Sequence, residues 1–358
     1  MTTEEDDLRN RNDITFGAGS AVDDLSGAEL TGTPADREIS PAASAAADGT
    51  EDPQAPRPND GSLRVDEDTP LTAVMRADEF EGFGNLIFPA SDRITEGMTV
   101  SDTARLLPFH SNVNPADVAR TVDRMLIAVR SGQLTFHPLY SEDQITDDPD
   151  KAVVGLFFFR GGTNAPLSII SAGGGFSYVG SFHEGFPHAQ TIADHGENAF
   201  VLNYRTGSGG RLAAEDLAVA IDFAFANAHE LDVDPTGYAL WGSSAGARMA
   251  AVLGSHGTIA FGQGHRPRPS AVIMAYTGHS DISGTVPPTF AVVGSDDVIA
   301  PSWLVRQHID RLRLAGVRTE FHAFPNIGHG FGLGTGTAAE GWIDDALAFW
   351  RTNRIQRG

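Results

Sequence analysis

From residue 151 to residue 350 the chain alternates short apolar runs with helical segments, and this alternation constrains the fold more than any other feature. Runs at 153–159, 168–171, 199–204, 238–241, 271–275, 288–293 and 319–324 read as strands. Segments 212–227, 245–253, 303–314 and 338–350 read as helices. In the first of these, Leu217, Ala220, Ile221, Ala224 and Phe225 share one side. Strands that are apolar on both faces must be covered on both faces. The pattern therefore predicts a mostly parallel central sheet flanked by helices, an α/β architecture, over 151–358.

The preceding residues differ. Residues 1–69 hold 17 Asp/Glu against 5 Lys/Arg, so more than half of the formal net charge of −22 sits in this stretch. With Phe16 as its only aromatic, the stretch has too little apolar surface to offset the entropy of ordering and is expected to be a disordered acidic tail. Residues 70–150 regain apolar groups and are expected to form an N-terminal helical lead-in that packs on the main domain. Asn114-Pro115 resembles a helix cap followed by proline in the first turn. Val118, Val122, Met125, Leu126 and Val129 then recur at helical spacing up to Gly132, and 134–140 reads as a strand.

The acidic surface disfavours phosphate backbones and anionic bilayers, so neither nucleic acid nor membrane is an expected partner. The N-terminus lacks the basic start and apolar run of a secretory signal, and a cytoplasmic location is expected. With no cysteine in the chain, disulfides, thiol catalysis and Cys-based zinc sites are excluded. The oligomeric state is left open.

The segment 238–246 contains Gly-x-Ser-x-Gly, filled by Gly242, Ser244 and Gly246, between an expected strand and an expected helix. That setting turns a short pattern into a chemical expectation. Ser244 would sit on a strained strand-to-helix turn, and the flanking glycines would admit the neighbouring backbone. The helix start would favour developing negative charge, with the Ala245 N–H as one donor. Ser243 stands one position early. The similar start at Gly278-His279-Ser280 lacks the second glycine and a following helix.

A serine nucleophile needs a base, and the base needs an orienting carboxylate. Asp296 and Asp297 follow the apolar strand ending at Gly294, and Asp297 is preferred. His329 lies in the loop Gly328-His329-Gly330, after the last strand and before the last helix. His322, on the preceding strand, is expected to be structural. A second donor set is expected from Gly173-Gly174-Gly175, after the strand at 168–171, with the amides of Gly174 and Gly175 preferred. A phosphate-binding loop would need a lysine or a G-x-G-x-x-G spacing that is absent.

On these residues the chain resembles the α/β-hydrolase superfamily over about 153–350. It is most similar to the esterase/lipase branch with a Gly-Gly-Gly-Phe loop, including bacterial acetyl- and feruloyl-esterase-like enzymes. The shared features are 172–176, Asn203-Tyr204-Arg205, 242–246, 294–297 and 328–331. The resemblance implies a triad of Ser244, Asp297 and His329, and an oxyanion hole of Gly174, Gly175 and Ala245. Many relatives carry a bracing histidine where this chain has Ala172.

The implied activity is hydrolysis of carboxylic esters, short-acyl or carbohydrate-linked, through an acyl-enzyme. The expected partner is a small-molecule ester, and no metal or cofactor is required. His183 and His188 are poorly spaced for a metal. Phe176 and Tyr178, with Phe182 and Phe186, are candidate pocket residues. An oligopeptidase-like amide hydrolase and a non-catalytic binding protein on the same fold are the alternatives.

Overall fold

In the computed structural model, residues 63–89 and 93–355 are described. The acidic tail expected over 1–69 lies outside them up to residue 62. Residues 63–69 lie inside and are tied to the lead-in: the Val65 N–H donates to Asp123 Oδ1, and Thr69 O accepts from Val100 N.

Eight strands form one sheet: β1 (Leu134–Pro138), β2 (Gly155–Phe159), β3 (Ala165–Ser171), β4 (Asn198–Asn203), β5 (Val233–Ser243), β6 (Ala271–Ala275), β7 (Thr289–Gly294) and β8 (Thr319–Phe324). Their order is β1-β2-β4-β3-β5-β6-β7-β8. β2 is antiparallel to β1 and β4, and all other pairs are parallel. Every residue of β4, β6 and β7 is buried, as strands covered on both faces require.

Helices Pro115–Arg130, Phe186–Asp194 and Trp342–Ile355 gather on one face; the second of them touches both others. Helices Arg211–Ala226 and Ala245–His256 pack together over β3, β5 and β6 on the opposite face, and Ser302–Leu314 covers β7 and β8. The lead-in shares the core: Val118, Val122, Met125 and Leu126 are buried, Phe83 stacks on Phe136, and Phe83 meets Phe157 edge-on. Asn114 caps its helix by accepting from Ala116 N.

Several boundaries differ from the sequence expectation for local reasons. The strand expected over 153–159 starts at Gly155, because Pro149–Val153 forms a 3-10 turn with proline at its start. The strand expected over 238–241 is longer. Val233 and Asp234 already pair with β3, the chain bulges out, and it rejoins at Ala239. The last helix starts at Trp342 instead of residue 338, since Gly341 sits at φ +87°, outside helical space. Helices Ser181–Glu184 and Phe186–Asp194 carry no visible periodicity in the sequence. Residues 181–190 are all buried, and a helix buried all round has no polar face to mark it. Phe182 and Phe186, candidate pocket residues in the sequence, are fully buried in this core.

Candidate active site

The parallel strands end on one edge of the sheet, and the loops leaving β3, β5, β7 and β8 meet there. Ser244 follows β5 directly and caps helix Ala245–His256 at φ +50°, ψ −114°. That conformation costs a non-glycine residue about 1–3 kcal/mol, and the surroundings impose it. The Ser244 N–H donates to Ala275 O at 2.8 Å. A Cβ on Gly242 would lie 2.3 Å from the Gly246 carbonyl, and one on Gly246 would lie 2.0 Å from Ser171 O. The two motif glycines are thus the places where strand, turn and helix backbones touch. Ser243 is buried at 1% exposure beside this turn.

Asp297 is buried in the loop after β7. Its Oδ1 accepts from Ile299 N at 2.8 Å and Ala300 N at 2.7 Å, which fixes the carboxylate plane. Its Oδ2 lies 2.7 Å from His329 Nδ1. A carboxylate can only accept, so Nδ1 carries the proton and Nε2 is left to accept from the Ser244 hydroxyl, 3.0 Å away. Asp296 is exposed and accepts from its neighbour Ser295 Oγ. The loops of Asp297 and His329 are stitched together: Asp296 N donates to Ile327 O, and a Cβ on Gly294 would meet that same oxygen at 2.1 Å. His322 is hydrogen-bonded to Glu320 on β8.

The glycine loop after β3 runs beside the elbow; a Cβ on Gly173 would sit 2.9 Å from Ser244 Cβ. Gly173 O accepts from Gly180 N, and Gly174 O accepts from Ser177 N and Tyr178 N. In a trans peptide the N–H points opposite the carbonyl of the preceding residue, so the Gly174 and Gly175 N–H groups face away from the turns that the Gly173 and Gly174 carbonyls close. The Gly173 N–H is occupied by Glu184 Oε2 at 2.7 Å. Ala245 N is the first amide of its helix and has no partner within it. Ala172, at the start of the loop, is held through its carbonyl, which accepts from Tyr204 Oη at 2.7 Å.

Phe176, at φ +58°, lays its ring over Gly210 and is half-buried. Tyr178 is buried beneath Gly174, stacks on Phe109 and is hydrogen-bonded to His110 Nδ1 at 3.2 Å.

The surroundings are rich in buried ionisable groups. Burial alone would raise the Glu184 carboxyl, but the charge of His110 beside it outweighs this and holds it at about 2. Burial lowers His183 and His188 to about 4, with the charge of His110 adding to the effect on His183. His183 is not a metal ligand here: its Nε2 donates to Gly330 O at 2.9 Å. Among the described residues no group of His, Asp or Glu is arranged to hold a metal, and no helix is long and apolar enough to cross a membrane.

The BD-FAE family model matches residues 160–266, which includes the glycine loop and the elbow and ends before Asp297. An acetylxylan esterase of Xylanibacter ruminicola is 23% identical over 199 residues, 46% of this chain and 40% of the relative, so the chain spans well under half of that relative's length. Among solved structures, MGS-M1, an α/β hydrolase from a Medee basin deep-sea metagenome library, matches with a TM-score of 0.51 at 22% identity. The match covers 62% of this chain and 98% of that one. An acetyl ester-xyloside bifunctional hydrolase from Caldicellulosiruptor lactoaceticus matches with a TM-score of 0.50 at 23% identity, covering 61% and 96%. The sheet order and these likenesses show that the chain has the α/β-hydrolase fold, and its residues 160–266, with the glycine loop and the elbow, are similar to the BD-FAE family.

Proposed function

We propose that the protein is a serine hydrolase that cleaves carboxylic esters. The observation that carries this reading is the continuous chain Ser244 Oγ–His329–Asp297 at a strained strand-to-helix turn. In the proposed reaction the Ser244 oxygen attacks the ester carbonyl carbon while its proton passes to His329 Nε2. The carbonyl electron pair moves onto oxygen, where the amides of Gly174, Gly175 and Ala245 accept the charge as an oxyanion hole. Collapse expels the alcohol, which takes the proton from His329. Water then attacks the acyl-enzyme by the same route and releases the acid. Asp297 keeps the ring in the required tautomer and stabilises its cation.

The substrate class proposed is a short-acyl ester, including one on a carbohydrate. Support comes from the acetylxylan esterase named above and from the BD-FAE match over the elbow and glycine loop. A panel of p-nitrophenyl acyl esters of rising chain length, acetylated xylan and a peptide p-nitroanilide tests it. Hydrolysis of acetyl esters well above the anilide is expected, and Ser244→Ala should lose about 10⁴-fold or more in kcat. Retained turnover in that variant would remove Ser244 from its role, and preference for the anilide would replace esterase with peptidase.

A further inference from the structure

The lead-in contributes one segment to the edge of the sheet where the loops meet. Residues 109–111 lie between the glycine loop and the His329 loop and touch both. On one side, the Phe109 ring stacks on Tyr178 and lies 3.2 Å from where a Cβ of Gly175 would be. His110 Nε2 meets Glu184 Oε1 at 2.8 Å, a close polar contact without the alignment of a hydrogen bond, with both side chains 1% exposed or less. The other oxygen of that carboxylate holds the Gly173 N–H. On the other side, Ser111 donates twice to the carbonyl of His329, from N at 2.9 Å and from Oγ at 2.7 Å. The loop is shaped to receive the segment. A Cβ on Gly328 would lie 2.8 Å from Ser111 Oγ, and one on Gly330 would lie 2.6 Å from the His110 ring.

We propose that residues 109–111 are a positioning strap that holds the oxyanion loop and the catalytic histidine in register, His110 acting through Glu184 on Gly173 and Ser111 acting on the His329 backbone. The inference rests on the serine-hydrolase reading and extends it to a segment outside the stretch that resembles known hydrolases. Gly174 and Gly175 can present their N–H groups only if the start of their loop is fixed, and the Ala172 position supplies no side chain for that. A carboxylate reaching in from helix Ser181–Glu184 does the fixing, and where it is fully buried its second oxygen needs a polar partner beside it. The strap provides that partner and grips the base loop with the next residue. The oxyanion exists only in the transition state and intermediates, so loosening the strap should act on turnover and spare substrate binding.

The test compares wild type with His110→Leu, His110→Gln and Ser111→Ala. Active sites are counted by end-point labelling with a fluorophosphonate, and kcat and KM for p-nitrophenyl acetate are measured per labelled site. Displacing one catalytic group by about 1 Å can cost roughly 100-fold. His110→Leu is therefore expected to lose about 10- to 100-fold in kcat per site with KM changed less than about two-fold. His110→Gln, which keeps an N–H donor for Glu184, should recover part of the loss. Ser111→Ala removes one hydroxyl from an exposed residue and should lose about 3- to 10-fold in kcat even if His110→Leu fails to fold. Wild-type kcat per site in Ser111→Ala, or in a folded His110→Leu, overturns the strap. So does a loss confined to the number of labelled sites. A wild-type protein inert to both the probe and the esters would instead fail the hydrolase reading, a different and recognisable result.

Discussion

The two glycine-rich turns beside Ser244 need glycine for different reasons. At the elbow, neither Gly242 nor Gly246 adopts positive φ; each is glycine because another backbone already occupies the place of its Cβ. In the loop after β3, Gly175 sits at φ +61° with only the Phe109 ring near its missing Cβ, so its requirement is conformational. Gly174 has both constraints, at φ +137° and against Tyr178 O. The elbow glycines thus carry the packing of helix on sheet, while the loop glycines set the direction in which amides point. The supports differ too. The elbow rests on backbone contacts, whereas the loop rests on Glu184 and, through it, on His110.

Gly246→Ala gives the largest effect and tests the packing side of this contrast. Its new methyl would push against Ser171 O at 2.0 Å and Ala172 O at 2.6 Å, two atoms at the end of a central strand. Overpacking of this kind costs about 3 kcal/mol, or roughly 6–12 °C in Tm. A variant melting within about 2 °C of wild type would show that the helix can lift off the strand cheaply.

Acid tests the difference in supports. His183 and His188, behind the loops, have folded values of about 4, below the ordinary 6.5. Between those limits the unfolded chain binds protons that the native protein refuses, so stability is full above pH 6.5 and falls toward pH 4. A loss of about 3 kcal/mol between pH 6.5 and pH 5, roughly half from each histidine, is expected from urea unfolding midpoints. The depressed carboxyl of Glu184 adds its own loss only lower, between about 4.5 and 2. Unchanged midpoints down to pH 5 would mean that these histidines accept protons in place.

Gly175→Ala gives the smallest change in stability. Left-handed backbone costs alanine about 1–2 kcal/mol, and its methyl would meet a movable ring edge at 3.2 Å. A loss of kcat by about ten-fold, beyond anything the stability change explains, is expected if the Gly175 amide faces the oxyanion. Destabilisation equal to that of Gly246→Ala would erase the distinction between the two turns.

How much could be read in advance depends on the range of the interactions. The elbow is legible because Gly242, Ser244 and Gly246 record a local event, a strand turning into a helix within five residues. The parallel sheet is legible because fully buried strands are apolar without interruption. Helix Phe186–Asp194 escaped because its first five residues are all buried, polar His188 and Gln190 among them, which leaves only the last turn to mark a solvent face. The bulge in β5 escaped because Pro235-Thr236-Gly237 reads as a turn, although Val233 and Asp234 already pair with β3. Glu184 and the strap escaped for a stronger reason. A glutamate beside a glycine and a serine beside a histidine carry no local signal, and Ser111 meets His329 across 218 residues. The local pattern picks out Ser244 and its flanking glycines, and the long-range contacts around them appear only in the fold.

The same separation along the chain bears on the order of synthesis. Ser244 leaves the ribosome 85 residues before His329, and the strap leaves far earlier than either. Domains generally fold as units, and the elbow itself leans on the later strand β6 through Ser244 N donating to Ala275 O. The histidine loop must then dock onto a strap made 218 residues earlier, and the last helix secures it through Trp342 Nε1 donating to Gly332 O. Under the proposed function, the serine therefore meets its base only once the chain as far as the last helix has been made.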